Sequence, residues 1–156
     1  MKAYPAFFLL FLCSVFSVRA DFGIGAQGNA WFSSNPFLGG SLVVSPLRRL
    51  HISLDYNTDI VTPENRRFGL NTDYWIFKPR VGDFGPEQGR VYLLCGGGIF
   101  INFSGDVSCG LRFPFGVDYE IKRMDFFLQV VPAVSVYAPS GDWFALYGAL
   151  GCRWWF

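Results

Sequence analysis

The sequence predicts an all-β fold: an eight-stranded antiparallel up-and-down transmembrane β-barrel behind an N-terminal signal peptide. Three observations predict it. Beyond residue 20, apolar and polar residues alternate singly in one segment after another, the period of a strand whose two faces meet different surroundings. Turn-forming clusters separate these segments at "SSNP", "SPLRR", "TPENRR", "FSGD", "IKRM" and "APSGD". The apolar share is high at 51%, yet no stretch after Ala20 could span a bilayer as a helix, which takes about 20 apolar residues.

Residues 1–20, "MKAYPAFFLLFLCSVFSVRA", read as a cleaved signal peptide, and 21–156 as one barrel domain. Lys2 supplies the positive start, Ala6 to Val18 the short apolar run, and Val18-Arg19-Ala20 the cleavage site, with Asp21 as mature start. Cys13 does not make a lipoprotein signal, because Leu12 stands where a small residue is needed. Export removes Lys2 and Arg19 from the 13 basic residues, leaving 11 against 12 acidic ones. That balance excludes nucleic acid as a partner. Cys95, Cys109 and Cys152 remain, an odd number at wide spacing that forms neither a disulfide scaffold nor a metal site. No cofactor is expected.

The first strand runs from Phe22 to Phe32, with Phe22, Ile24, Ala26, Gly28, Ala30 and Phe32 on one face and Gln27, Asn29 and Trp31 on the other. Leu38–Ser45 follows. Leu50–Asn57 sets Leu50, Ile52, Leu54 and Tyr56 against His51, Ser53, Asp55 and Asn57. Phe68–Phe77 and Arg90–Ile101 are the fourth and fifth, and "VYLLCGGGIFI" within the latter is apolar on both faces, so its register is not legible. The longest alternation, Val107–Ile121, opposes Cys109, Leu111, Phe113, Phe115, Val117 and Tyr119 to Arg112, Asp118 and Glu120. The seventh sets Phe126, Leu128, Val130, Val134 and Val136 against Asp125, Gln129 and Tyr137. The eighth sets Leu146, Leu150, Cys152, Trp154 and Phe156 against Tyr147, Arg153 and Trp155.

A soluble sandwich or lipocalin-type barrel would turn the polar face to water. Here that face carries Trp31, Trp75, Tyr137, Tyr147 and Trp155, and Lys78 and Lys122 are the only lysines after residue 20. Such a surface is poorly solvated. Inverted, the pattern is coherent: apolar face to lipid, polar face to a closed interior, aromatic rings at the two interfaces. Backbone groups in hydrocarbon must all be paired, and without helices a closed barrel alone achieves this.

The ending, with Phe156 terminal and Trp154 and Cys152 at alternate positions before it, resembles the C-terminal signature read by the outer-membrane barrel assembly machinery. The runs "CGLRFPFGVDYEIKRMDFFLQVVPAV" and "GCRWWF" resemble the closing hairpins of small uncharacterised outer-membrane barrels, spirochaetal ones among them. In size and layout the mature chain resembles the eight-stranded OmpX and OmpA-transmembrane class. The resemblance implies the outer membrane of a diderm bacterium, a monomer, and outer-membrane lipid and the assembly machinery as partners, the latter through Phe156 and Trp154. One departure is "KPRVGDFGPEQG" (78–89), long for a periplasmic turn; it is either such a turn or a longer hairpin. The long protruding loops of OmpX are missing.

A barrel of eight strands is just wide enough for side chains to fill its centre. Parity sends His51, Asp55, Asn57, Asn71, Asp73, Arg112, Asp118, Glu120, Asp125, Gln129 and Arg153 inward. Buried charges are costly unless paired, so the two arginines are expected among the carboxylates as a plug, although five acids against two arginines do not balance. The function expected is a structural or surface-interaction barrel without enzymatic activity. The alternative is a narrow channel for small or hydrophobic solutes, as in OmpW-like barrels. A remote alternative is a lipid hydrolase: His51 and Ser53 resemble the His–Ser pair of outer-membrane lipid A deacylases, with Asp55 as orienting acid. That likeness lies on a different strand, lacks the flanking Asn, and has His51 pointing inward.

The remaining features read structurally. Gly96, Gly97 and Gly98 relieve crowding or bend a strand. Pro114 and Pro132 mark bulges or strand ends. A turn centred on Gly105 would place Cys95 opposite residue 115, so the sulfurs of Cys95 and Cys109 should not meet.

Overall fold

The structure, a computed structural model, describes residues 21–156 apart from 33–35, 63, 86, 105, 140 and 142, together with the backbone but not the side chain of Ser104. Residues 1–20, including Cys13, lie outside the described residues.

Where the sequence alternates, the chain forms strands. They are β1 (Gly23–Phe32), β2 (Phe37–Leu47), β3 (Leu50–Asp59), β4 (Arg66–Phe77), β5 (Arg80–Asp83), β6 (Arg90–Ser104), β7 (Asp106–Arg112), β8 (Phe115–Ile121), β9 (Met124–Tyr137) and β10 (Phe144–Trp155). Among the described residues there is no helix. The ten segments make eight staves, because two staves are interrupted. β5 continues β4, pairing with β6 where the β4 ladder stops, and β7 and β8 both lie between β6 and β9. All pairs are antiparallel, and β10 closes the barrel onto β1 with Gly23 opposite Trp155 and Phe32 opposite Leu146.

Each interruption has a cause in the sequence. Pro132 accepts a hydrogen bond at its carbonyl from Phe113 N–H (2.9 Å), and Pro114 accepts one from Gly96 N–H (2.9 Å). Neither proline has an N–H to return, so the ladders break between Arg112 and Phe115. Pro114 thus ends a segment, whereas Pro132 sits within β9 facing the break. The other interruption, at Lys78-Pro79, resolves the long "KPRVGDFGPEQG" stretch as a hairpin rather than a turn: Arg80 pairs with Tyr92 and Asp83 with Arg90. The hairpin is tied to its neighbour by Tyr119, whose hydroxyl donates to the Gln88 carbonyl.

The alternation sets the two surfaces. Ile24, Leu42, Leu54, Leu70, Ile99, Leu128, Val130 and Leu150 stand exposed on the outside, and the alternate residues are buried within. Lining the outside with apolar side chains and the inside with polar ones inverts a soluble protein and suits a barrel whose solvent is hydrocarbon. The first and last described residues lie at one end, which we call the terminal end, where Phe156 N–H donates to Phe22 O (2.9 Å) and the two rings pack 6.2 Å apart. The two-residue turns Arg48-Arg49 and Lys122-Arg123 and the β5–β6 hairpin share that end.

The charged interior as candidate functional site

The interior has two layers. At the end away from the termini, Trp31, Phe37, Phe100, Val131, Ala133, Ala145 and Tyr147 form an apolar cluster. Trp31 and Tyr147 pack at 4.3 Å, and the Arg67 guanidinium lies over the Trp31 ring at 3.8 Å and the Phe37 ring at 4.2 Å. Stacking lets a cation fill the mouth while its charge meets the negative ring faces. Trp75 and Trp155 are also fully enclosed, at 0% and 4% exposure. Four of the five polar-face rings therefore fill the barrel rather than forming interfacial belts. For two of them the room comes from glycine: a Cβ on the inward Gly23 of β1 would meet the Trp155 ring, and one on Gly96 of β6 the Trp75 ring. Of the five, Tyr137 alone stands outside, at 57% exposure.

Toward the terminal end lies the ionic layer. Arg153 is its hub: Nε donates to Asp125 Oδ1 (2.9 Å), Nη1 contacts Ser45 Oγ and His51 Nδ1 (both 3.2 Å), and Nη2 lies 3.7 Å from Asp118. The indole N–H of Trp155 donates to the second oxygen of Asp125 (2.9 Å), so that carboxylate is held on both sides. Lys78 reaches in from the β4–β5 interruption to Asp118 (2.7 Å) and Glu120 (2.6 Å). Arg48 then links Glu120 (3.1 Å) to Asp21 (2.6 Å) at the rim. The clustered carboxylates of Asp118, Glu120 and Asp125 have the proximity of metal ligands, but Lys78, Arg153 and Trp155 already occupy them.

A third group sits mid-barrel. Asp73 on β4, Gly98 on β6 and Arg112 on β7 are consecutive in register across three staves. Two inter-strand spacings separate acid from base, about 9.6 Å, and Gly98 leaves the path between them clear. Arg112 Nε accordingly reaches Asp73 Oδ1 at 2.9 Å, with both side chains almost wholly buried. Nearby, Asn71 donates to Asp55 and to Ser53 Oγ (3.0 Å).

Of the residues singled out from sequence, His51, Asp55, Asp73, Arg112, Asp118, Asp125 and Arg153 are buried inside the barrel, and Glu120 is half-buried at its rim. The structure brings Asp118, Glu120, Asp125, Arg153 and His51 into one network, keeps Arg112 with Asp73, and leaves Asp55 with Asn71. His51 and Ser53 do not form a catalytic pair: His51 Nδ1 faces Arg153, its ring stands edge-on to Trp75 and Phe127, and Ser53 Oγ accepts from Asn71. Trp154 and Phe156 face outward, at 45% and 68% exposure. Two interior cations, Lys78 and Arg67, were missed by parity. Lys78 lies in a segment without alternation; Arg67 sits one residue before the Phe68–Phe77 alternation, whose period extended by that residue turns it inward.

The free cysteines follow the register of a Gly105-centred turn: Cys95 is opposite Phe115 and Cys109 opposite Ile101. Gly96 and Gly98 face inward against Trp75 and Asp73; a Cβ on Gly98 would collide with the Thr72 carbonyl and the Asp73 carboxylate.

No family model and no curated protein sequence matches the chain. Among solved structures, the Neisserial surface protein A is similar at 14% identity over 86% of this chain and 96% of that one, with a TM-score of 0.53. The fold is that of the small outer-membrane β-barrels. The N-terminal barrel domain of Pseudomonas aeruginosa OprF also matches, at 14% identity over 88% of this chain and 100% of that one, with a TM-score of 0.48.

Proposed function

We propose that this protein is an integral barrel of the outer membrane of a diderm bacterium, plugged by its own side chains, with a structural or surface-interaction role and no enzymatic activity. The observation that carries the reading is the double closure of the interior. Trp31, Phe37, Phe100 and Tyr147 fill one half, and the Arg153–Asp125–Asp118–Lys78 network fills the other. Every cation in that network has an acid within 4 Å, the arrangement of a charge-compensated filling rather than of a water-lined path. A side-chain-filled centre is also what eight strands geometrically favour. Against hydrolysis, His51 and Ser53 are each 1% exposed and face the inside, where a lipid ester has no access.

The terminal end is assigned to the periplasm, which puts Phe156 and Trp154 where the assembly machinery would read them and the β3–β4 and β9–β10 loops at the cell surface. The chain is read as a monomer. Planar-bilayer recording of refolded protein residues 21–156 tests the plug: the bilayer should stay silent, whereas discrete reproducible openings would replace this reading with that of a narrow solute channel.

A further inference from the structure

We propose that the outer face of the β8–β9 turn holds an anionic phospholipid of the leaflet at the terminal end, an inference that rests on the membrane reading above. Ile121, Met124 and Trp154 line an outward groove of about 470 Å³, and Lys122 and Arg123 close its aqueous edge. The groove is built by register, since Met124 pairs with both Ile121 and Trp154. Ile121, Met124 and Trp154 make its floor and walls apolar, and an indole near the rim suits the headgroup boundary. The two cations stand where a lipid phosphate would lie.

What singles out this pair is that the other cations of the same rim are already engaged. Arg48 holds Asp21 and Glu120, Arg80 holds Asp83 with Arg90 close by, Arg49 donates to the Ile76 carbonyl (3.5 Å), and Lys78 is sunk into the interior. Among the described residues neither Lys122 nor Arg123 has an ion-pair or side-chain hydrogen-bond partner. Lys122 also borders a polar recess with Glu120, but that carboxylate is held by Lys78 at 2.6 Å and Arg48 at 3.1 Å. Asp125, next to the turn, points inward to Arg153 and Trp155. Among the described residues no acid is ion-paired with Lys122 or Arg123 that a phosphodiester would have to displace. The backbone of the turn is pinned, because Arg123 O accepts from Trp155 N–H at 2.7 Å. The cations are therefore presented on a fixed ledge rather than a loose loop.

The test is native mass spectrometry of the refolded barrel (residues 21–156), titrated with phosphatidylglycerol or phosphatidylcholine of matched chains. Wild type should retain phosphatidylglycerol preferentially. Lys122→Gln with Arg123→Gln should weaken its retention about thirty-fold, the equivalent of ~1 kcal/mol per cation near an anionic surface, and leave phosphatidylcholine unchanged. Trp154→Ala should weaken both lipids. Arg49→Gln, at the same rim but away from the groove, should change neither. Equal retention of the two lipids by wild type, an unaffected double variant, or an equal loss with Arg49→Gln would each overturn the site. Failure of the wild type to refold as a heat-modifiable barrel would instead overturn the membrane reading, and the site with it.

Discussion

Arg112 and Asp73 offer the cleanest measurement of what the buried charges do. Arg153 shares its charge among Asp125, Asp118, Ser45 and His51, so its loss would be spread over several partners, whereas Arg112 has Asp73 as its one ion-pair partner among the described residues. Their side chains are 4% and 1% exposed at 2.9 Å separation. Arg112→Ala strands the Asp73 carboxylate in a site without solvent access, and removing one member of a buried pair costs about 3–5 kcal/mol. Arg112→Leu should cost as much, since it restores volume without charge. Arg112→Met combined with Asp73→Leu removes both charges, and such replacements are neutral or stabilising by ~1–4 kcal/mol. The assay is urea unfolding of the refolded barrel in lipid vesicles, read by tryptophan fluorescence and by loss of heat-modifiable gel mobility. Arg66→Ala, at an exposed position on the far rim, serves as the reference and should leave the midpoint unmoved. If Arg112→Ala is as mild as Arg66→Ala, the guanidinium is solvated, the interior is an aqueous path, and the plug argument is wrong.

Gly98→Ala should fold poorly or shift the unfolding midpoint sharply, because its Cβ meets the Thr72 backbone and blocks the Arg112–Asp73 row, while Gly97→Ala should be tolerated, its nearest contact being Ile76 at 3.9 Å; the same unfolding assay compares them. Lys78→Met should destabilise the barrel by about 3–5 kcal/mol despite its place outside any strand, since it leaves Asp118 short of a cation and Glu120 with Arg48 alone; a negligible midpoint change would show that the ammonium is not needed there. Deleting Phe156 should lower surface levels in cells while sparing refolding into detergent, and unchanged surface levels on immunoblots of outer-membrane fractions would refute a recognition role. Refolded protein should give a β-rich circular dichroism spectrum with heat-modifiable mobility.

The period of two determined a great deal by itself. Because consecutive strand side chains point to opposite faces, the alternation of Leu50 to Asn57 or of Phe126 to Gln129 assigned His51, Asp55, Asp125 and Gln129 to one surface before any pairing was known. The inversion of polarity, with rings and carboxylates together on that surface, then told which face was inside. Parity is local, however, and could not say which residues meet. Asp73 finds Arg112 because β6 lies between their staves and presents Gly98 in the same row, a fact of register in a strand whose sequence is apolar on both faces. Nor could it place Lys78, which belongs to no alternating run and reaches Asp118 only because Pro79 interrupts the stave at the level of that carboxylate. The fate of Trp31, Trp75, Tyr147 and Trp155 was likewise undecided, since an amphipathic ring suits either an interface or a filled centre. Closure of the sheet decided it: once β10 pairs with β1, the enclosed space is fixed, and those rings with their paired charges are what fills it.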